Sequence, residues 1–288
     1  MDHDAFFRHL AEEYPQLYLN PDADSQEQYR DIVSRGNRPA ASSLALYHGS
    51  PLDRDVMIDT PVGPIRAVTL GDRRDYELFM RNMMAAKEGP KQPVPASQGA
   101  AMLIAFNWPR IHRHLAEYAE AERAAGHPDP DTDAEFRRFI SDKKNYQDML
   151  VVLSTGPYSN VSAEAAGRPE TEWRKESGAI RLYHEVTHVI CRTRYPDRVD
   201  AVWDELVADS IGIYGAYRKA DPDLIRLFLG IRDGAYAGGR LENYTKEPER
   251  IAGAVSRALD EIGEIVEAKM PEAPFDLIDD LQGIQMAF

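Results

Sequence analysis

The hydrophobic pattern in the first half of the chain combines two periodicities. Two short runs rich in β-branched residues, 56–60 and 65–70, flank the turn-forming segment 61–64, and this arrangement predicts a β-hairpin. Apolar side chains then recur every three or four residues over 76–84, which predicts a helix. A continuous apolar run at 149–154 predicts a buried strand.

The second half of the chain has the pattern of long helices. Apolar residues recur at helical spacing over 172–194, 198–219 and 248–269. Gly212 and Gly215 lie inside the second of these helices, where glycine costs stability, and they predict close contact with a neighbouring helix. The predicted fold is therefore α+β and predominantly helical, with a small sheet before the long helices.

The length of the chain, 288 residues, fits one large domain or two smaller ones. The segment 126–131 holds two prolines and two aspartates, and it is the best candidate for a linker. It predicts an N-terminal α+β region over 1–130, with a β-hairpin and helices, and a metal-binding region with a helical C-terminal part over 131–288. A single domain is the alternative.

The charge and the composition of the chain exclude several kinds of partner. Lys and Arg number 34 against 48 Asp and Glu, a net charge of −14, so the surface repels nucleic acid and anionic lipid. The N-terminus lacks the pattern of a signal peptide, and the apolar run 100–106 is too short to cross a bilayer. The single cysteine, Cys191, cannot form an internal disulfide. We expect a cytoplasmic protein that binds neither nucleic acid nor membranes.

The strongest chemical signal is an HExxH motif inside a predicted helix, formed by His184, Glu185 and His188. Residues four apart on a helix are offset by only about 40°, so both imidazoles share one face and can bind one ion. Glu185 lies about 100° round the helix from His184, beside that ion. A carboxylate there can take a proton from a metal-bound water, as a general base does.

The next predicted helix carries two further acidic residues one turn apart, Glu205 and Asp209. An open tetrahedral zinc site needs three protein ligands and leaves the fourth position to water, so Glu205 is the candidate third ligand. Metal-bound histidines usually donate their other N–H to a carboxylate, and Asp209 is the candidate for that contact.

The 26 residues from His184 to Asp209 resemble the gluzincin metallopeptidases, the thermolysin-like class, in which an HExxH helix precedes a helix bearing Glu-x-x-x-Asp. The resemblance implies that His184, His188 and Glu205 bind zinc, that Glu185 activates water and that Asp209 orients His184. It also implies a zincin-like metal site between the two helices and the small sheet.

Two features depart from that family: the gap of 16 residues between His188 and Glu205 is slightly shorter than in the thermolysin group, and no histidine follows His188. Gluzincins stabilise the developing oxyanion with a downstream His or Tyr, so a downstream tyrosine or arginine must serve here. Tyr236 and Tyr244 flank a Gly-rich stretch, 234–239, that suits a mobile loop over a site. These two tyrosines are the candidate oxyanion donors, and Arg240 is the candidate to hold a substrate carboxylate.

The leading hypothesis is a zinc-dependent metallohydrolase, most simply a cytoplasmic peptidase that acts on a peptide or a small molecule with Glu185 as general base. Two histidines and one carboxylate also form the facial triad of non-haem iron oxygenases. An Fe²⁺ enzyme that modifies a peptide or small molecule is therefore the alternative. Such an enzyme needs an arginine for an acidic cosubstrate, and Arg192, Arg194 and Arg240 are candidates.

A third hypothesis is a metal-stabilised binding module without turnover. The intact Glu185 argues against it, because a structural site needs no base and usually fills the fourth coordination position. Cys191, three residues after His188, lies on the same helix face as the histidines. We favour a packed thiol over a metal ligand, because coordination one turn farther along would overextend the reach to the ion.

Overall fold

The computed structural model describes residues 3–20, 25–37, 39, 41–84, 93–95, 98–198 and 200–284. Its α-helices are α1 (His3–Glu13), α2 (Ser25–Gln28), α3 (Arg73–Met84), α4 (Trp108–Ala124), α5 (Thr132–Phe139), α6 (Glu170–Arg194), α7 (Ala201–Tyr217), α8 (Pro222–Leu229), α9 (Pro248–Lys269) and α10 (Leu277–Gln282). Its strands are β1 (Arg54–Ile58), β2 (Ile65–Leu70), β3 (Ala100–Phe106), β4 (Gln147–Ser154), β5 (Ile231–Arg232) and β6 (Ala235–Tyr236). Short 3-10 helices cover Pro15–Tyr18, Ala41–Leu46, Lys143–Asn145, Tyr158–Asn160, Arg240–Asn243 and Pro274–Asp276, and a π-helical segment covers Tyr29–Ser34.

The larger sheet has the strand order β1-β2-β4-β3, and β5 pairs with β6 in a separate antiparallel pair. A tight turn joins β1 to β2, in which the Gly63 N–H donates to the Thr60 carbonyl at 3.0 Å. Arg66 on β2 pairs with Asp55 on β1 at 2.7 Å. The predicted hairpin and the buried strand at 149–154 are confirmed, and so is the α+β, predominantly helical fold.

The chain divides into two compact units that alternate along the sequence. The first consists of Met1–Arg54, Val68–Pro95 and Leu103–Val152, and the second of Asp55–Ala67, Ala96–Met102 and Leu153–Phe288. The candidate linker 126–131 lies inside the first unit, between α4 and α5. The HExxH motif and both candidate acidic residues lie in the second unit.

A half-buried carboxylate organises part of the first unit. Asp148 on β4 accepts hydrogen bonds from the Tyr14 hydroxyl at 3.0 Å, the Asn107 amide at 2.9 Å and the Arg110 guanidinium at 2.6 Å. The Asn107 side chain also accepts from the Arg110 N–H, which caps the first turn of α4 as its position before Trp108 and Pro109 predicts. Hydrogen bonds to a charged acceptor are among the stronger ones, so this cluster fixes the start of α4.

Helix α7 lies at the centre of the second unit, where it packs against α6, α8, α9 and α10. It begins at a good N-cap, since the Asp200 side chain accepts from the Trp203 N–H at 3.0 Å. Most of its residues from Val202 to Tyr214 are buried, as expected for a helix that is apolar on nearly every face. Among the described residues, no helix is both long and apolar enough to span a membrane.

Candidate metal centre

The two histidines of the motif lie one turn apart on α6 and face each other. Their Nε2 atoms are 3.0 Å apart. His184 is 4% exposed, and the His188 side chain is 12% exposed, so water reaches neither ring freely. The helical offset predicted from the spacing therefore brings both imidazole nitrogens to one point.

Glu205 on α7 completes a three-residue cluster. Its Oε2 lies 3.5 Å from Nε2 of His184, and its Oε1 lies 3.3 Å from Nε2 of His188. One nitrogen or oxygen atom from each of the three residues lies within 4.8 Å of the others. The structure thus brings together all three ligands that the sequence predicted.

The spacing within this cluster fits a small divalent ion. Ligand atoms about 2.0–2.1 Å from a tetrahedral Zn²⁺ lie about 3.3 Å from one another, close to the observed separations of 3.0, 3.3 and 3.5 Å. In addition, Glu205 Oε2 is buried and has no hydrogen-bond partner among the described residues. A buried carboxylate oxygen without a partner is costly, and a metal ion at this point would remove that cost.

The other nitrogen of each imidazole faces a carboxylate. His184 Nδ1 lies 2.9 Å from Asp209 Oδ1, and His188 Nδ1 lies 2.8 Å from Asp204 Oδ2. Because an ionised carboxylate only accepts hydrogen bonds, each neutral ring carries its proton on Nδ1 and presents the lone pair of Nε2 to the cluster. This is the tautomer that a metal ligand requires.

Asp209 is the predicted partner of His184, and the structure agrees with that prediction. Asp204 was not predicted. Its signal in the sequence is only its position directly before Glu205, which gives no preference for it over the other acidic residues of this chain. Its contact with His188 depends on how α6 and α7 cross.

A largely enclosed arginine, with its side chain 16% exposed, neutralises Asp209. The Arg240 guanidinium forms an ion pair with Asp209 Oδ2, and its Nη2 lies 4.0 Å from Glu205 Oε2. Burial raises the pKa of Asp209, but Arg240 and His184 outweigh burial and hold the pKa well below its usual range. For Glu205, burial likewise raises the pKa and the two histidines lower it, to about 2. Both carboxylates are therefore ionised at neutral pH.

Arg240 reaches this position from a loop with unusually close backbone packing. The backbone atoms of Gly230 and Gly239 touch, and a Cβ added at Gly239 would lie 2.6 Å from Gly230 Cα. Gly230 also has φ +74°, in the left-handed region that favours glycine. The sequence suggested that Arg240 holds a substrate carboxylate, whereas the structure shows its guanidinium already paired with Asp209.

The two candidate tyrosines have different surroundings. The Tyr236 hydroxyl lies 2.7 Å from Glu242 Oε2 and 2.9 Å from the Gly239 carbonyl, within its own loop. The Tyr244 ring lies 5.9 Å from the Arg240 guanidinium. Burial raises the pKa of Tyr244, Arg240 lowers it, and the neighbouring Glu205 carboxylate raises it further. Within the described residues, the structure brings Tyr244 to the metal ligands and leaves Tyr236 with its own loop.

A third tyrosine, which the sequence analysis did not select, lies at the centre of the site. The Tyr158 hydroxyl donates to Asp209 Oδ1 at 2.6 Å, lies 2.8 Å from His184 Nδ1 and accepts from Arg240 Nη1 at 3.1 Å. Tyr158 is 4% exposed, and burial raises the pKa of its hydroxyl. It precedes the motif by 26 residues in a short 3-10 turn, a position for which the sequence pattern gives no signal.

Glu185, the candidate general base, is half-buried. Its carboxylate makes no hydrogen bond or ion pair with any residue that the structure describes. In this respect it differs from Asp204, Glu205 and Asp209, whose carboxylates each contact a histidine of the motif. Of these four described carboxylates, that of Glu185 alone is left free to accept a proton.

Cys191 lies outside the three-residue cluster. Its thiol is buried and accepts a hydrogen bond from Gln282 Nε2 at 3.5 Å. Burial raises the pKa of the thiol to about 12, so it carries no charge at neutral pH. Since a metal ligand must be a thiolate, these surroundings support the interpretation of Cys191 as a packed thiol.

The close contact predicted from the glycines of α7 is confirmed, and it gives a test of the helix pair. A Cβ at Gly212 would lie 2.9 Å from the Ile180 carbonyl oxygen and 3.4 Å from His184 Cβ. Gly212→Ala must therefore push α7 away from α6, and we expect a loss of about 1–3 kcal/mol in unfolding free energy together with weaker zinc binding. Chemical denaturation and a chelator competition measure the two effects.

Gly178→Ala is the matched control for this substitution. Gly178 lies in the interior of α6, and a Cβ there would have no atom within 4 Å. The substitution is expected to raise the free energy of unfolding by about 0.5–1 kcal/mol, because alanine has the higher helix propensity, and to leave zinc binding unchanged. Equal behaviour of the two variants would contradict the role assigned to helix contact.

The histidine pair also predicts how zinc binding depends on pH. Burial lowers the pKa of His188, but hydrogen bonds to Asp204 and Glu205 raise it more, to about 10 in the metal-free chain. Zinc must therefore displace a proton at neutral pH, and the affinity is expected to rise about tenfold per pH unit until about pH 10. Calorimetry in buffers of different ionisation enthalpy measures the released proton. Asp204→Asn should lower the pKa of His188 and so lower the pH above which zinc affinity stops rising. An unchanged pH profile would show that Asp204 does not raise the pKa of His188.

The same pKa shift affects the stability of the metal-free fold. A raised histidine pKa stabilises the folded state fully below the ordinary value of 6.5, and this contribution disappears as the pH rises through about 10. Zinc, if bound, would thus replace this proton at the same cluster.

Comparison with known proteins gives one assignment. Searches of curated proteins and of solved structures found no match. The sequence profile of DUF7005, a family of unknown function, matches residues 2–269, and the chain therefore belongs to the DUF7005 family.

Proposed function

We propose that this protein is a zinc-dependent hydrolase that cleaves an amide bond, most simply a peptidase. The observation that carries the proposal is the convergence of two imidazole Nε2 atoms and Glu205 on one point, with Glu205 Oε2 buried and unpartnered among the described residues. Together with the HExxH spacing, this is the ligand set of an open catalytic zinc site and not of a closed structural one.

The roles of the residues follow from their surroundings. His184, His188 and Glu205 would hold the ion, which when bound supplies a Lewis acid and lowers the pKa of a bound water. Glu185 accepts the proton of the attacking water and returns it to the leaving amine, because its carboxylate has no other partner among the described residues. Tyr244 is the proposed donor to the carbonyl oxygen that gains charge.

The surroundings favour hydrolysis over the iron-oxygenase alternative. That alternative needs an arginine for an acidic cosubstrate. Of the three candidates, Arg240 is paired with Asp209 and Arg194 with Asp279 at 2.8 Å, which leaves the exposed Arg192. An oxygenase also has no use for an unpaired carboxylate beside the metal, which Glu185 supplies. The net charge of −14 favours neutral or basic peptides as substrates.

Metal analysis followed by a peptide-library assay tests the proposal. Protein purified without oxygen is expected to contain about one zinc per chain and to cleave members of the library, with activity lost to a chelator and restored by zinc. Glu205→Gln should lose both the zinc and the activity. Iron with oxygen-dependent turnover would favour the oxygenase, and bound zinc without any cleavage would favour a binding module.

A further inference from the structure

We propose that Tyr158 is a positioning residue for the metal centre. Its hydroxyl fixes the orientation of the His184 ring and keeps the ring proton on Nδ1. This inference rests on the proposed function, because it assigns a role toward the zinc ligands. Tyr158 does not reach the cluster itself. Its hydroxyl contacts the Nδ1 side of His184, opposite the nitrogen that faces His188 and Glu205.

The hydrogen bonds around the hydroxyl determine where its proton lies. Arg240 has only donors, so its Nη1 must donate to the Tyr158 oxygen at 3.1 Å. Asp209 has only acceptors, so the hydroxyl proton goes to Asp209 Oδ1 at 2.6 Å. His184 Nδ1, 2.8 Å away, then faces an oxygen lone pair and must carry its own proton.

This arrangement excludes the wrong tautomer of His184. If Tyr158 were free to rotate, its hydroxyl could donate to His184 Nδ1, which would place the ring proton on Nε2 and block metal binding. Arg240 and Asp209 prevent that rotation because one supplies a donor and the other an acceptor. Asp209 Oδ1, 2.9 Å from His184 Nδ1, is the second acceptor that this nitrogen faces, and the tyrosine and the arginine hold that carboxylate in place.

The backbone around Tyr158 is held firmly against α6. Arg181, one turn before His184, donates to the carbonyls of Ser154 at 2.8 Å, Gly156 at 3.0 Å and Pro157 at 3.1 Å. The Tyr158 N–H donates to the Ser177 hydroxyl of the same helix at 3.0 Å. The helix that carries the two histidines therefore also fixes the segment that carries the tyrosine.

The backbone immediately after Tyr158 is strained. Ser159 and Asn160 have φ of 54° and 56°, a left-handed conformation that non-glycine residues rarely adopt. Such strain persists only where the surrounding structure enforces it, and it is common at sites where a side chain must be placed accurately. Next to this backbone, the Tyr158 ring packs against His184 and Phe228, whose ring centroids lie 5.7 and 4.9 Å from its own.

Tyr158→Phe tests the inference, because it keeps the packed ring and removes the hydroxyl. We expect zinc affinity, measured against a chromophoric chelator, to fall about 10- to 100-fold. The visible spectrum of the Co²⁺-loaded protein is expected to change, since it reports ligand geometry without any activity assay. The matched control is Tyr214→Phe, which removes another buried tyrosine hydroxyl, bonded to the Pro271 carbonyl, and should change neither reading.

Several results would overturn the inference. Tyr158→Phe with wild-type zinc affinity and an unchanged Co²⁺ spectrum contradicts it, and so does an equal effect of Tyr214→Phe. If Tyr158→Phe does not fold, Ser177→Ala replaces it in the test, because it removes only the hydroxyl that accepts from the Tyr158 N–H. Ser177→Ala is also expected to weaken zinc binding. Unchanged zinc affinity of that variant would contradict the inference. If the wild-type protein binds no zinc, the proposed function fails together with the inference on Tyr158. If the wild-type protein binds zinc and Tyr158→Phe changes nothing, only the inference fails.

Discussion

Replacement of Glu185 by glutamine is expected to lower amide hydrolysis about 10²- to 10⁴-fold, the usual contribution of general acid–base catalysis. The carboxamide has the same size as the carboxylate but cannot accept the proton of the attacking water. Zinc content should not change, because Glu185 does not belong to the three-residue ligand cluster. Measurement of kcat/KM on a cleaved library peptide, together with the zinc content of each preparation, tests both statements.

The control for this substitution comes from the same helix. Glu172 is an exposed residue of α6 and, like Glu185, has no hydrogen bond or ion pair with a described residue. Glu172→Gln should leave kcat/KM and zinc content as in the wild type. Zinc-loaded Glu185→Gln protein that hydrolyses the peptide at the wild-type rate would show that another group is the base.

The metal ligands are the part of the site that the sequence predicts well, for a physical reason. His184 and His188 are positioned by helix periodicity alone, which is a local property of the chain. Glu205 follows from the requirement of a third ligand and from its place on the next helix. Gly212 and Gly215 then allow the two helices to approach closely enough for these residues to meet.

The groups that surround the ligands depend on tertiary contacts that no local pattern encodes. Tyr158 and Arg240 are 82 residues apart in the sequence, yet they hydrogen-bond to each other and both contact Asp209. The choice between Tyr236 and Tyr244 depends on the 3-10 turn Arg240–Asn243, which places the two rings differently. The sequence thus identifies tyrosines and arginines that could serve in the site. The packing of loops against helices determines which of them reach it.

The fold likewise has parts that local sequence patterns predict and parts that depend on tertiary contacts. Turn residues between β-branched runs predicted the hairpin, and a continuous apolar run predicted β4, because these signals are local. The division into two units was not evident from composition, because each unit is assembled from stretches that are far apart in the sequence. A Pro-rich segment such as 126–131 predicts an exposed connection, and this one connects two helices of the same unit.

The buried charges of the site give a physical reason for the arginine and for the proposed metal ion. Glu205 and Asp209 are ionised and almost fully enclosed, and Asp204 adds a third carboxylate at His188. Isolated charges in such surroundings are costly unless they are paired. Arg240 compensates Asp209, and in the metal-free chain the proton on His188 compensates Asp204 and Glu205. A divalent ion can replace that proton, which couples zinc affinity to pH.

Replacement of Asp209 by alanine is therefore expected to destabilise the metal-free protein by about 3–5 kcal/mol, because it removes the buried half of this ion pair and leaves the largely enclosed Arg240 cation with only the Glu205 carboxylate at 4.0 Å. It also removes the acceptor of the Tyr158 hydroxyl and of His184 Nδ1. Urea denaturation in the presence of a chelator measures this loss without any contribution from bound zinc.

Asp260→Ala is the matched control, because Asp260 pairs with Arg226 at the surface and its side chain is 62% exposed. Exposed ion pairs contribute about 0–1 kcal/mol, so this variant should unfold nearly as the wild type does. The lowered pKa of Asp209 fixes the sign of the pH dependence: its stabilising effect is complete above the ordinary value of 3.8 and decreases as the pH falls below it. The difference between Asp209→Ala and the wild type should therefore be constant from neutral pH down to that value and shrink at lower pH. Equal, small losses for both aspartate variants would show that Arg240 and Asp209 are not an enclosed pair, and the assignment of Arg240 to the metal centre would be wrong.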